Sequence, residues 1–208
     1  MSHALGVRAA RKRRTRQALL DAALELLAGQ SLSGLGLREV TRAAGVAPTA
    51  FYRHFRSIED LGVALVDEAL GSLHPLVLAV VADTRDGEER IAGIIDLLAC
   101  YVTKHPAHVR FLAREQHGGV RAVRAAVHAR LARLTEDVRV ELARDPESAG
   151  WSEDDLRMLA GVHVDHLVTT STRFLEALGA DPAERVRVTR EAADRLRLIG
   201  LGRAHWRD

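Results

Sequence analysis

The stretch "GVAPTAFYRHF", residues 45–55, decides how the chain is read. A glycine turn runs into a short segment opening with Pro48, a residue whose missing N–H costs nothing in a first helical turn. Phe51 and Phe55 stand four apart and share one helix face, while Thr49, Tyr52, Arg53 and His54 supply polar groups around them. Just upstream, "LREVTRAAG" (37–45) predicts a second short helix closed by Gly45. Two short helices joined through Gly45, Val46 and Ala47 are expected to form a helix-turn-helix. That geometry puts the second helix in the major groove of DNA. Thr49, Arg53 and Ala50 then face base edges, by hydrogen bond or methyl contact. Tyr52 and His54 flank them and suit phosphate oxygens, while Phe51 and Phe55 turn inward as core.

The competing reading is a small helical hairpin with a solvated polar face. The neighbouring charge argues against it. Arg38 heads the preceding helix, and an arm of Arg8, Arg11, Lys12, Arg13, Arg14 and Arg16 lies just ahead. Residues 1–62 hold ten Arg or Lys against five Asp or Glu, a net +5, and the remainder holds twenty against twenty-three, a net −3. A basic head on an acidic body points to a polyanion at one end, where counterion release makes the arm an affinity device.

Around this motif the chain reads as all-α. From Thr15 to Ala28, Leu20, Leu24 and Leu27 with Leu19, Ala23 and Leu26 make a helical stripe. Ser57 before Ile58, Glu59 and Asp60 predicts an N-cap and a long helix to about Ala82. Gly71 and Pro75 predict a kink or break near residue 74. Further helices are expected over roughly 87–104, 107–117, 119–144, 153–178 and 182–200, with "RDPESAGWS" as a loop.

Several classes fall away. The longest apolar run, "PLVLAVVA" (75–82), is short of a membrane span, and Asp21 and Glu25 spoil any signal-peptide core near the N-terminus. Cys100 is the single cysteine, so no intrachain disulfide forms and a reducing cytoplasm is the expected location. No phosphate loop, nucleophile elbow or paired carboxylate stands out, so no enzyme is expected. His105-x-x-His108 and His163-x-Asp165-His166 are half sites without a third ligand, so neither a metal nor a cofactor is expected.

"TRQALLDAALELL" and "LREVTRAAGVAPTAFYRHFRSIEDL" resemble the DNA-binding domain of the tetracycline-repressor (TetR) family. "GVRA", "LGVALVDEAL", "HPAHVRFLAREQHGG", "AVRAAVHARL" and "RLRLIGLGRAHW" are similar, more narrowly, to that family's repressors of unsaturated fatty-acid synthesis. The likeness is dense over about 7–70, in register over 100–130 and weak after 145. Ile58 stands where many members carry a phosphate-binding lysine, and Leu37 and Ala50 where they carry Ser or Thr. Pro75 also departs from the subfamily pattern.

The resemblance implies a homodimeric regulator binding a palindromic operator on double-stranded DNA, with no membrane partner. Its DNA-binding residues would be Arg13, Arg14, Arg38, Thr49, Ala50, Tyr52, Arg53 and His54. Residues 1–57 would form the DNA-binding domain and 58–208 the effector-binding and dimerisation domain. The effector implied is a long-chain acyl-CoA, which needs an apolar tunnel with cations at its mouth. Leu98, Tyr101, Val102, Phe111, Leu167 and Phe174, with Arg114 and the polar handle His163, are the candidates; ordinary core and surface ion pairs are the alternatives. Arg110, Arg121 and Arg124 are further candidate cations. Dimerisation is also expected from apolar stripes (Leu156, Ala160, Leu167, Phe174; Val186, Ala193, Leu196) that one body cannot readily bury. A repressor of efflux or catabolic genes answering another hydrophobic molecule, and a ligand-free architectural DNA binder, are the rival functions.

Overall fold

The computed structural model describes residues 2–83 and 86–206, and every regular element among them is a helix. These are α1 (Ser2–Leu26), α2 (Leu37–Ala43), α3 (Pro48–Phe51), α4 (Ile58–Asp83), α5 (Gly87–Lys104), α6 (Pro106–Glu115), α7 (Arg121–Ala143), α8 (Glu153–Glu176) and α9 (Pro182–Ala204). The all-α expectation holds. The basic arm is part of α1, so Arg8–Arg14 are successive turns of one helix. No break occurs at Pro75, which α4 carries within it.

By packing, the chain divides into two compact units. The first is Met1–Ala69 with Arg110–Val127, and the second is Leu70–Val109 with His128–Asp208.

In the first unit the α1 stripe is buried as its spacing requires: Leu19, Leu20, Ala23, Leu24 and Leu27. Phe51, Phe55, Leu61, Leu65, Phe111 and Val123 are buried with them. Each leucine, valine or phenylalanine among them contributes about 1.5–3 kcal/mol relative to exposure. Gly62 marks a close approach, because a Cβ there would meet Leu32 Cδ2 at 2.4 Å and Val123 Cγ2 at 2.8 Å.

In the second unit α5, α8 and α9 pack on one another around Ile95, Leu98, Val102, Ala160, Leu167 and Ala192. Buried His166 links two of them: its Nε2–H donates to the Ala192 carbonyl across 3.0 Å. Of the stripes expected to need a partner, Leu156, Ala160, Leu167, Phe174 and Leu196 are instead buried within this core, while Ala193 is partly buried and Val186 stays exposed. A helix inside a three-helix layer hides two sides, which a single-helix reading does not anticipate.

Ile58–Ala82 is long and apolar enough to cross a membrane by length and composition, with hydropathy 1.6 over its most apolar window. Counting only unbroken apolar runs missed this, because Asp67 and Glu68 divide the segment without making it polar on average. Leu61, Leu65, Val66, Ala69 and Val77 on it are buried in protein.

Candidate nucleic-acid interface and effector cavity

The turn between α2 and α3 is held by backbone chemistry. Gly45 takes φ +64°, and its N–H donates to the Arg42 carbonyl while Val46 N–H reaches the Thr41 carbonyl at 3.0 Å. This paired closure of a helix end needs a residue at ease with positive φ. Pro48 then stands in the first turn of α3, with Ala47 extended at the N-cap (ψ 145°). Ser57 Oγ caps α4 by accepting Asp60 N–H, and Asp60 Oδ2 accepts Arg56 N–H in return. Every signal that predicted this segment is used.

Phe51 is fully buried, its ring 5.6 Å from that of Phe55, so the α3 segment is anchored by one side. On its other side Thr49 and Arg53 are exposed, Ala50 is half-buried, and Tyr52 is 64% exposed. Arg13, Arg14 and Arg38 are exposed. The Arg16 guanidinium sits 5.2 Å from the centre of the Phe55 ring, within cation–π range.

His54 is the meeting point of the two basic elements. Burial, then the charges of Lys12, Arg16 and Arg53, push its imidazole below the ordinary histidine range. Its Nδ1 is buried and has no hydrogen-bond partner among the described residues. Lys12 and Arg16 from α1 thus share one electrostatic neighbourhood with Arg53.

The first unit also contains a clamp that sequence reasoning missed. Arg114 donates to the Leu27 and Gln30 carbonyls, at 2.9 and 2.6 Å, around the end of α1. Buried Glu115 accepts Leu32 N–H at 2.9 Å. Arg114 therefore serves the helix-turn-helix scaffold. With Phe111, Arg110, Arg121 and Arg124 it belongs to the first unit, so none of these is a cation or wall of the cavity in the second. No local pattern in the sequence signals this, because the partners lie more than eighty residues apart.

The second unit contains a partly open, mainly apolar cavity of about 140 Å³. Val77, Ile91, Ile94, Val138, Leu142, Leu167 and Leu196 line it, and Arg90, Glu147, His163 and Arg203 give it polar groups. Of the expected ligand residues, His163 and Leu167 are there. Leu98, Tyr101 and Val102 are packed core, with Tyr101 and Ser72 hydroxyls hydrogen-bonded at 3.0 Å. Phe174 lines a second hollow with Cys100, Lys104 and Arg185. Arg90 and Arg203 both reach Asp145 Oδ2 at 3.3 Å, and Arg203 also donates to Ser148 Oγ at 2.6 Å. Asp145 stays below the usual carboxylate range even though burial pushes it up, because the Glu147 N–H and the two arginines outweigh that. Among the described residues no group of three or more His, Cys, Asp or Glu side chains could hold a metal.

A capped, glycine-closed helix-turn-helix beside a cationic helix defines a DNA-binding transcriptional regulator. The family of bacterial regulatory proteins known as tetR matches residues 19–65. An uncharacterised HTH-type transcriptional regulator from Haemophilus influenzae is 35% identical over 199 residues, covering 95% of this chain and 94% of that one. The chain belongs to the TetR family; it is a regulator, not an enzyme. Among solved structures, the fatty acid degradation regulator FadR from Bacillus halodurans matches with TM-score 0.71 and 16% identity, covering 88% of this chain and 94% of that one. FadR from Bacillus subtilis, solved in complex with stearoyl-CoA, matches with TM-score 0.70 and 17% identity, over 86% and 96%. At such identities these two show the fold alone.

Proposed function

We propose that the chain is an effector-controlled repressor of fatty-acid or lipid genes, acting as a homodimer on a palindromic operator in the cytoplasm. The observation that carries it is the polar side of the α3 segment: Thr49, Tyr52 and Arg53 stand exposed while Phe51 and Phe55 hold that segment in the core. Residues 1–57 read DNA, and residues 58–208 bind effector and dimerise. Thr49, Ala50 and Arg53 meet bases, while Tyr52, His54, Arg38, Arg13 and Arg14 meet phosphates.

Dimerisation is supported by a face that shares only Val186 with the stripes the sequence suggests. Met158 and Val162 on α8, and Val186, Leu198 and Leu201 on α9, are large apolar side chains left exposed. Two copies of α8 and α9 can cover them as a four-helix bundle.

The lipid assignment draws on the likeness to repressors of unsaturated fatty-acid synthesis and on the fold shared with FadR proteins, one of them solved with stearoyl-CoA. The apolar cavity is consistent with an acyl ligand, although about 140 Å³ is below the ~300–1,000 Å³ of typical ligand pockets. A long chain therefore extends beyond it or parts the helices that line it. A ligand controls DNA only through its differing affinity for two such states. Footprinting for a two-fold site, followed by operator titration with and without palmitoyl-CoA, tests the proposal. An asymmetric single site, or operator affinity indifferent to palmitoyl-CoA, would refute its respective part.

A further inference from the structure

Most of the polar wall of the cavity is engaged within the chain itself. Arg90 and Arg203 share Asp145 Oδ2, and Arg203 also reaches Glu147 Oε2 at 3.4 Å and donates to Ser148 Oγ. The Arg203 Nε is sealed from solvent. Glu147 sets a carboxylate on the same wall, and a second anion beside it is repelled. These arginines therefore tie the last turn of α9 to residues 145–148, and they leave no seat for an acid.

His163 is different. It stands on α8 and lines the cavity. A carbonyl oxygen can only accept, so His163 Nδ1 carries the proton that bonds the Leu159 carbonyl at 2.8 Å. Burial, then the charges of Arg203, His166 and Arg90, outweigh that bond and hold the ring neutral. Nε2 is left as a bare acceptor. No donor reaches it among the described residues, and unlike the sealed Arg203 Nε and His54 Nδ1 it keeps accessible surface. Interior polar atoms are normally satisfied, so an open acceptor beside aliphatic walls points to a ligand that donates.

We propose that this cavity takes a small neutral alcohol or phenol, its hydroxyl donating to His163 Nε2 and its hydrocarbon body among Ile94, Leu142, Leu167 and Leu196. The size suits such a molecule, because about 140 Å³ is close to the ~150 Å³ of an apolar protein cavity that holds benzene. A carboxylate would meet paired guanidiniums and the Glu147 charge, and it brings no proton for the imidazole. An ether fills the same space and leaves Nε2 bare. The inference rests on the reading of the second unit as effector-binding and gives its cavity a ligand class of its own beside the acyl thioester.

Calorimetry on the full-length protein with phenol, anisole and sodium benzoate at neutral pH tests it. Phenol should bind about tenfold more tightly than anisole, the factor expected for filling a buried acceptor, and benzoate should bind weakest. His163→Phe should bring phenol down to the anisole level while anisole itself changes little, which shows that the variant keeps the cavity. Equal affinities for the three compounds, benzoate tightest, no binding of any, or an undiminished phenol preference in His163→Phe would each overturn it. If palmitoyl-CoA changes operator affinity while phenol fails to bind, the effector-binding reading stands and this inference falls. If phenol binds in the expected order while neither phenol nor palmitoyl-CoA changes operator affinity, the cavity keeps its ligand class and the effector-binding reading falls.

Discussion

The Glu115 carboxylate accepts the Leu32 backbone N–H at 2.9 Å, joining residues 83 apart in sequence. Glu115 is 1% exposed, its second oxygen has no partner among the described residues, and Arg114 beside it ties down the carbonyls of Leu27 and Gln30. One turn at the end of α6 therefore satisfies three backbone groups left over where α1 stops. Glu115→Ala should orphan a buried N–H and cost about 1–3 kcal/mol. Urea unfolding of the full-length protein would measure this, and an unchanged midpoint would show that water replaces the carboxylate.

Base reading and phosphate binding should separate by mutation. Arg53→Ala should relax sequence choice and cost about 1–3 kcal/mol on the preferred operator if the side chain meets a guanine. Deleting Arg8–Arg14 should weaken all DNA alike and flatten the salt dependence by about 0.9 in log–log slope for each phosphate left without its cation. Band shifts on operator and scrambled DNA across a salt series would distinguish them. A larger change of base preference on deleting the arm would reverse the roles.

Stability should fall on mild acidification. Burial lowers the folded-state pKa of both His163 and His166. The unfolded chain therefore binds protons first as pH drops below about 6.5, while the folded one does not. Their contribution is complete above that value and is lost progressively toward the lower folded-state values. The slope is at most about 1.4 kcal/mol per pH unit for each histidine. Urea midpoints at pH 7.5 and 5.5 should differ in wild type, and less so in His163→Phe.

The exposed face of α9 should hold the dimer. Leu198 and Leu201 are 68% and 62% exposed. Changing both to glutamate should give a monomer by sedimentation at micromolar concentration, and operator affinity should fall because two half-sites ~34–36 Å apart, or a multiple of that, need both heads. A dimer that survives the double change would place the interface elsewhere.

The helix-turn-helix is legible in the sequence because each of its devices is local. Gly45 at positive φ, Pro48 in a first turn, Ser57 as a cap and the Phe51/Phe55 spacing all act within a few residues of themselves. The later helix ends can be read within a few residues for the same reason, since periodicity and caps are short-range, but α1 begins at Ser2 and not near Thr15. Of the kink or break expected at Pro75, the break does not occur, because the cost of one lost helical bond is comparable to the burial of a few neighbouring side chains.

What only the tertiary structure decided is where distant segments meet. The sequence by itself determined an all-α chain, a helix-turn-helix and a basic segment ahead of it, while only the structure makes that segment part of α1. The sequence placed Arg114 near a ligand, yet the fold spends that guanidinium on the carbonyls of Leu27 and Gln30. It offered the α8 stripe to a partner, yet α5 and α9 bury it within the chain and leave Met158, Val162, Leu198 and Leu201 outside. Arg203, Asp145, Arg90 and His163 carried no shared pattern, and they come together only when the ends of several helices close around one cavity. Backbone dihedrals and caps are properties of neighbours in the chain. Which buried polar groups find each other depends on packing, and packing has no counterpart in the linear order of residues.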